Sequence, residues 1–161
     1  MVGYLDYKSR PREYIVARFN EAAAEANLAE EMLRRELYQN AANKAFMALK
    51  ALTSAIVASE LCNLKRDEKR REWYEKVGYA APTTGLIKIA KDLEALGYKG
   101  IEAAVKTALL LHRLAYNGFD PNFVDYLDTD EVVSDIKQVL DFVKTTIQTL
   151  SVQVPTRIQQ C

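Results

Sequence analysis

The run Ala41-Ala42-Asn43-Lys44-Ala45-Phe46-Met47-Ala48-Leu49-Lys50-Ala51-Leu52-Thr53-Ser54-Ala55-Ile56-Val57-Ala58-Ser59-Glu60-Leu61 decides the fold. Ala45, Phe46, Leu49, Leu52, Ala55, Ile56 and Ala58 recur at helical spacing, so a helix here carries a broad apolar face. Its alanines let a neighbouring backbone approach closely, and of the helix and its start only Asn40, Asn43, Lys44, Lys50, Thr53 and Ser54 suit water. Such a helix belongs at the centre of a bundle, not on its rim.

Working outward, Ser9-Arg10-Pro11 predicts a helix start, with serine capping and proline in the first turn. From there to about Leu37, Ile15, Phe19, Ala22, Ala26, Leu28, Ala29, Met32 and Leu33 form one apolar stripe. That places Glu21, Glu25, Glu30, Arg34 and Arg35 toward water or a partner. Tyr38-Gln39-Asn40 interrupts the pattern without a glycine and predicts a short turn between antiparallel helices.

Downstream, residues 65–72 are a dense mixed-charge run followed by Trp73-Tyr74, read as a short exposed helix and a loop. Thr83 or Thr84 is the expected cap of a third helix burying Leu86, Ile87, Ala90, Leu93 and Leu96 and ending at Gly97. A fourth helix runs from Ile101 to about Tyr116 and stops at Asn117-Gly118. Asp128-Thr129-Asp130-Glu131 has the pattern of a capping box and opens a fifth helix to about Leu150. The expected architecture is all-α: an up-and-down bundle of four long helices plus a short helix and a charged insert over residues 65–76. Residues 1–150 make one domain and 151–161 a flexible tail.

Composition excludes several classes. The 161 residues carry 22 Lys+Arg against 22 Asp+Glu, so no protein-wide field attracts polyanions and any nucleic-acid contact needs a local patch. Cys62 and Cys161 are far apart and form no CxxC, which fits a reducing cytoplasm. The start of the chain has no apolar export segment, and apolar stretches are broken by Lys50, Thr53 and Lys106, so neither export nor a membrane span is expected. His112 is the sole histidine, and Leu109 stands three before it, so the Glu-x-x-His pairs of a di-metal bundle are absent and no metal or other cofactor is expected. Phosphate-loop, dinucleotide and nucleophile-elbow motifs are also missing. Gly97-Tyr98-Lys99-Gly100 matches one RNA-binding loop, but that module needs strands, and a helix end explains both glycines.

What remains is the end of the fourth helix. His112 and Tyr116 share one helical face and Arg113 and Asn117 the adjacent one. An imidazole beside a guanidinium can move a proton and stabilise developing charge, as metal-independent RNA cleavage requires. A plain helix-terminal role for the cation is the alternative, and spacing by itself favours it.

Three stretches carry a resemblance to a known family: Tyr38-Gln39-Asn40-Ala41-Ala42-Asn43-Lys44-Ala45-Phe46-Met47-Ala48-Leu49-Lys50-Ala51-Leu52, then Ala81-Pro82-Thr83-Thr84, then Leu111-His112 through Tyr116-Asn117-Gly118. Together they resemble the archaeal PaREP family, a branch of the HEPN superfamily, from about Ser9 to Leu150. The resemblance implies a HEPN-like bundle, commonly a homodimer. Active members of that superfamily are metal-independent ribonucleases, often toxins, that use an arginine followed a short spacing later by a histidine, two such pairs meeting across the dimer. Other members bind nucleotides or nucleic acid, or are accessory domains.

This chain departs from that motif: no histidine follows Arg113, and the downstream position falls on Tyr116 or Asn117. Tyrosine, with a pKa near about 10, is a poor base at neutral pH, and asparagine transfers no protons. The leading expectation is therefore a degenerate or non-catalytic dimer holding a nucleotide or an RNA end, or serving as an accessory domain. Its pocket would combine Asn40, Asn43, Lys44, His112, Tyr116 and Asn117. The alternatives are a ribonuclease using His112 with Arg113 or Tyr116, and an interaction module whose charged run and Trp73-Tyr74 dock a partner protein.

Overall fold

A computed structural model describes residues 6–150, and every regular element in them is helical. The elements are α1 (Pro11–Arg34), α2 (Tyr38–Ser59), α3 (Leu61–Leu64), α4 (Arg71–Lys76), α5 (Leu86–Ala95), α6 (Ile101–Asn117) and α7 (Thr129–Leu150), with a 3-10 turn at Gly78–Ala80. Four long helices, the shorter α5 and an insert at α3–α4 make an all-α bundle, as expected. The tail after Leu150, with Cys161, lies outside the described residues. Cys62, on α3, is not a free thiol.

The centre is α2, which packs on α1, α6 and α7. Its residues from Ala41 to Ala58 supply fourteen buried positions, among them Phe46, Leu49, Leu52 and Ile56. Thr53 and Ser54, expected to face water, are buried as well, because neighbours surround this helix on nearly every side. Thr53 survives burial by donating its hydroxyl back to Leu49 O at 2.8 Å. No surplus apolar face is left on α2. The contacts Tyr14 with Ser54 and Glu25 with Lys44 run in opposite order along α1 and α2, so these helices are antiparallel.

Helix boundaries follow local chemistry with three differences. The break between α1 and α2 falls one turn before Tyr38-Gln39-Asn40, at Glu36, whose φ of 57° places it in the left-handed region. There Leu37 N donates to Met32 O and Glu36 N to Leu33 O, a Schellman ending without its usual glycine. Ser9 does not cap α1: the N-cap is Arg10, and Pro11 holds the first turn. Nor do Thr83 or Thr84 cap α5, which begins after Gly85 at φ 96°. At α7 the capping box is complete, since Glu131 N donates to Asp128 Oδ1 and Asp128 N donates back to Glu131 Oε2, which also accepts from Leu127 N.

Some inward assignments fail because each rests on a stripe too wide for the available neighbours. Leu28, Ile87 and Leu96 are each more than two-fifths exposed, while Tyr14 and Ile89 take core positions. Glu25 and Glu30 are not merely solvated: Glu25 pairs with Lys44 of α2 and Glu30 with Lys144 of α7. The charged run forms turns up to Arg70 rather than a helix, with ion pairs Arg70–Asp67 and Lys65–Glu75. Tyr74 is 1% exposed and donates to Asp92 Oδ2 at 2.7 Å, and Trp73 lies against Gly78 and Gly85 so closely that a Cβ at either would collide with its ring. The aromatic pair anchors the insert to the bundle.

Candidate functional site

Antiparallel packing of α6 on α2 brings the end of α6 to the start of α2. Gln39 Nε2 donates to Ala115 O at 2.8 Å and ties the two together. Around this junction lies a cleft of about 430 Å³ lined by Met32, Gln39, Asn40, Asn43, Lys44, Ala115 and Tyr116. Of the residues singled out in the sequence, Asn40, Asn43, Lys44 and Tyr116 meet here. Gln39 joins them and had no sequence signal, because a glutamine in a first helical turn is unremarkable until the helix it bonds is known.

The cleft is polar but close to neutral. Lys44 Nζ stands 2.9 Å from Glu25 Oε2, an ion contact without hydrogen-bond alignment, and both side chains are largely shielded. That pairing compensates the one cation in the cleft. Three side-chain amides remain at its wall, each able to donate and accept. Tyr116 is 77% exposed, so its ring is a free aromatic surface at the mouth.

His112 lies behind Tyr116, not in the cleft lining. Its ring stacks on Phe46 with centroids 4.1 Å apart and meets Tyr116 edge-on at 4.8 Å. Nδ1 is buried without a hydrogen-bond partner. Burial, and second the nearby Lys50 ammonium, push its pKa below the ordinary histidine value. The ring is therefore neutral at physiological pH and supports Tyr116 from below.

Arg113 does not join His112. It occupies the exposed face and bonds Asp125 Oδ2 at 2.8 Å, which accounts for its charge. Asn117 donates Nδ2 to Arg113 O and closes the helix end. The expected grouping of His112, Arg113, Tyr116 and Asn117 thus separates into an edge-on aromatic pair, His112 with Tyr116, and a helix-end arrangement of Arg113 and Asn117. No group of three or more His, Cys, Asp or Glu that could hold a metal occurs among the described residues.

The fold and this cleft define an all-helical protein with a small cleft lined by amides and an aromatic ring, and no helix among the described residues is long and apolar enough to cross a membrane. Residues 17–137 match the Archaeal PaREP1/PaREP8 family, and the chain belongs to that family. No curated protein and no solved structure matches it.

Proposed function

We propose that the Tyr116 cleft binds a nucleobase, as part of a nucleotide or the end of a single-stranded RNA, without efficient turnover. The observation that carries this reading is the exposed Tyr116 ring set beside the amides of Gln39, Asn40 and Asn43. Aromatic faces stack bases, by about 1–3 kcal/mol per base, and amides match the donor and acceptor edges of a base. The Glu25–Lys44 pair leaves the cleft close to neutral, as a base edge requires. A neutral, partnerless His112 and an Arg113 engaged with Asp125 favour binding over cleavage.

The expected homodimer belongs to the same proposal. Phe119, Phe123 and Leu127 remain exposed in the segment that follows α6, and a second copy would cover them while leaving Tyr116 open to the base. A cytoplasmic location and a single domain over residues 1–150 are parts of this reading as well.

Fluorescence polarisation with labelled mononucleotides and short RNAs, with light scattering on the same sample, tests it. Saturable binding lost in Tyr116→Ala and weakened at least tenfold in Asn43→Ala is the expected result. No binding by a well-folded protein overturns it. Cleavage of mixed RNA in EDTA by wild type but not by His112→Ala would replace it with the ribonuclease reading.

A further inference from the structure

A second pocket, of about 300 Å³, opens farther along the same face of α2, lined by Arg18, Glu21, Met47, Lys50, Ala51, Ser54, Ala80 and Pro82. Its feature is an arginine held in place by a chain of hydrogen bonds. Ser54 donates its hydroxyl to Tyr79 O at 2.9 Å, so in the 2.8 Å Tyr14–Ser54 contact the donor is the Tyr14 hydroxyl. Tyr14 in turn accepts from Arg18 Nε at 3.2 Å, and the guanidinium lies over the Tyr14 ring, 5.1 Å from its centroid. Arg18 Nη1 also reaches Glu21.

The chain Arg18 to Tyr14 to Ser54 to Tyr79 runs in one direction from the pocket into the core. Ser54 and Tyr14, 1% and 4% exposed, are its buried members. Tyr14 and Glu21 thus hold Nε and Nη1, and Nη2 is the guanidinium nitrogen without a hydrogen-bond partner among the described residues, at a side chain that lines the pocket. Lys50, half-buried on the adjoining turn of α2, makes no ion pair among the described residues. Two cations and one carboxylate thus face a space walled by Met47, Ala51 and Pro82, where apolar walls strengthen charge interactions.

We propose that this pocket is a binding site for a phosphoryl group. The oriented Arg18 guanidinium offers Nη2 to one oxygen, and the Lys50 ammonium takes another as a mobile point charge. Arg18 already has a carboxylate partner in Glu21, so the charge left over is that of Lys50, and a phosphoryl group, with three oxygens and nearly two negative charges, can bridge Nη2 and Lys50 Nζ. The site is independent of the Tyr116 cleft, and neither reading depends on the other.

His112 reports on it. As the sole histidine it gives one set of ring resonances, and the Lys50 ammonium is one of the two causes holding its pKa down. An anion seated on Lys50 offsets that charge, so imidazolium becomes easier to form. The experiment follows the His112 ring protons by NMR across pH while inorganic phosphate is added at ionic strength held constant with sodium chloride. A saturable change, with the His112 midpoint moving up toward the ordinary histidine value, is expected.

Lys50→Met should start from a raised midpoint and show no phosphate response. Arg18→Met should weaken the response at least tenfold, whereas Lys91→Met, an exposed charge on α5, should retain it. If Arg18→Met fails to fold, Lys50→Met decides alone, since that side chain bonds nothing. A response linear in phosphate, one matched by chloride, or one unchanged in Lys50→Met overturns the proposal. Equal saturation by acetate also overturns it, in favour of a carboxylate. Retention of the phosphate response in Tyr116→Ala, which removes the aromatic surface of the other cleft, keeps the two sites distinguishable.

Discussion

Ser54, on α2, and His112, stacked on Phe46 of the same helix, are two polar side chains that the fold treats in opposite ways. Ser54 is enclosed with both hydrogen-bonding roles used, giving to Tyr79 O and receiving from Tyr14. His112 keeps an edge toward solvent but has Nδ1 buried with no partner, held by ring contacts to Phe46 and Tyr116 alone. A satisfied buried hydroxyl contributes to stability, while an orphaned buried nitrogen carries a desolvation cost without return. The difference separates a group that positions Arg18 from one that behaves largely as an aromatic spacer beneath Tyr116.

The largest expected effect comes from removing the surface on which His112 rests. Phe46→Ala should cost about 3–5 kcal/mol in urea unfolding, the range for truncating a buried phenylalanine, and should bring the His112 pKa back toward its ordinary value. Ser54→Ala removes one donor and one acceptor from the chain and should cost about 1–3 kcal/mol. By contrast, His112→Leu replaces an unpartnered polar ring with an apolar side chain and should stay within about 1 kcal/mol of wild type. If His112→Leu is the more damaging of these two, the comparison fails and Nδ1 has a role that its surroundings do not reveal.

The smallest effect is a pH dependence. Because the His112 pKa is lowered on folding, protonation favours the unfolded chain. Stability should therefore be undiminished by this group above about pH 6.5, where the free imidazole is neutral, and should fall as pH drops from there toward the lower folded value. Urea midpoints at successive pH values check this; His112→Leu should lack that part of the slope. A wild-type and variant slope that coincide would mean His112 titrates as an exposed residue.

Two turns show where the sequence was readable and where it was not. Gly97 and Glu36 end α5 and α1 with the same hydrogen-bond pattern: Tyr98 N to Leu93 O and Gly97 N to Glu94 O in one, Leu37 N to Met32 O and Glu36 N to Leu33 O in the other. At Gly97, φ is 105° and the glycine announces the ending. At Glu36 the same left-handed region is occupied by a residue that gives no such sign, so the break was misplaced by about one turn. The Asp128–Glu131 box was readable for the same reason as Gly97, because its chemistry lies within a few residues of chain.

The candidate site divides along the same line. Asn40, Asn43, Lys44 and Tyr116 were legible through the family resemblance and through an antiparallel arrangement that short connections favour. Gln39, Phe46, Arg18 and Lys50 were not, since each acquires its role from a partner that lies far away in the chain. Periodicity places Glu25 toward water or a partner without choosing between them, because it reports the direction of a side chain and not that Lys44 waits there.

The all-helical class, the central position of α2 and the capped start of α7 were determined by sequence alone, because periodicity and capping are properties of neighbours along the chain. The tertiary structure decided that Tyr14, Ser54 and Tyr79 form one hydrogen-bonded line, that Lys44 spends its charge on Glu25 while Lys50 keeps its own, and that Arg113 faces away from His112. Hydrogen bonds and ion pairs act over a few ångströms, and only packing determines which distant residues come that close.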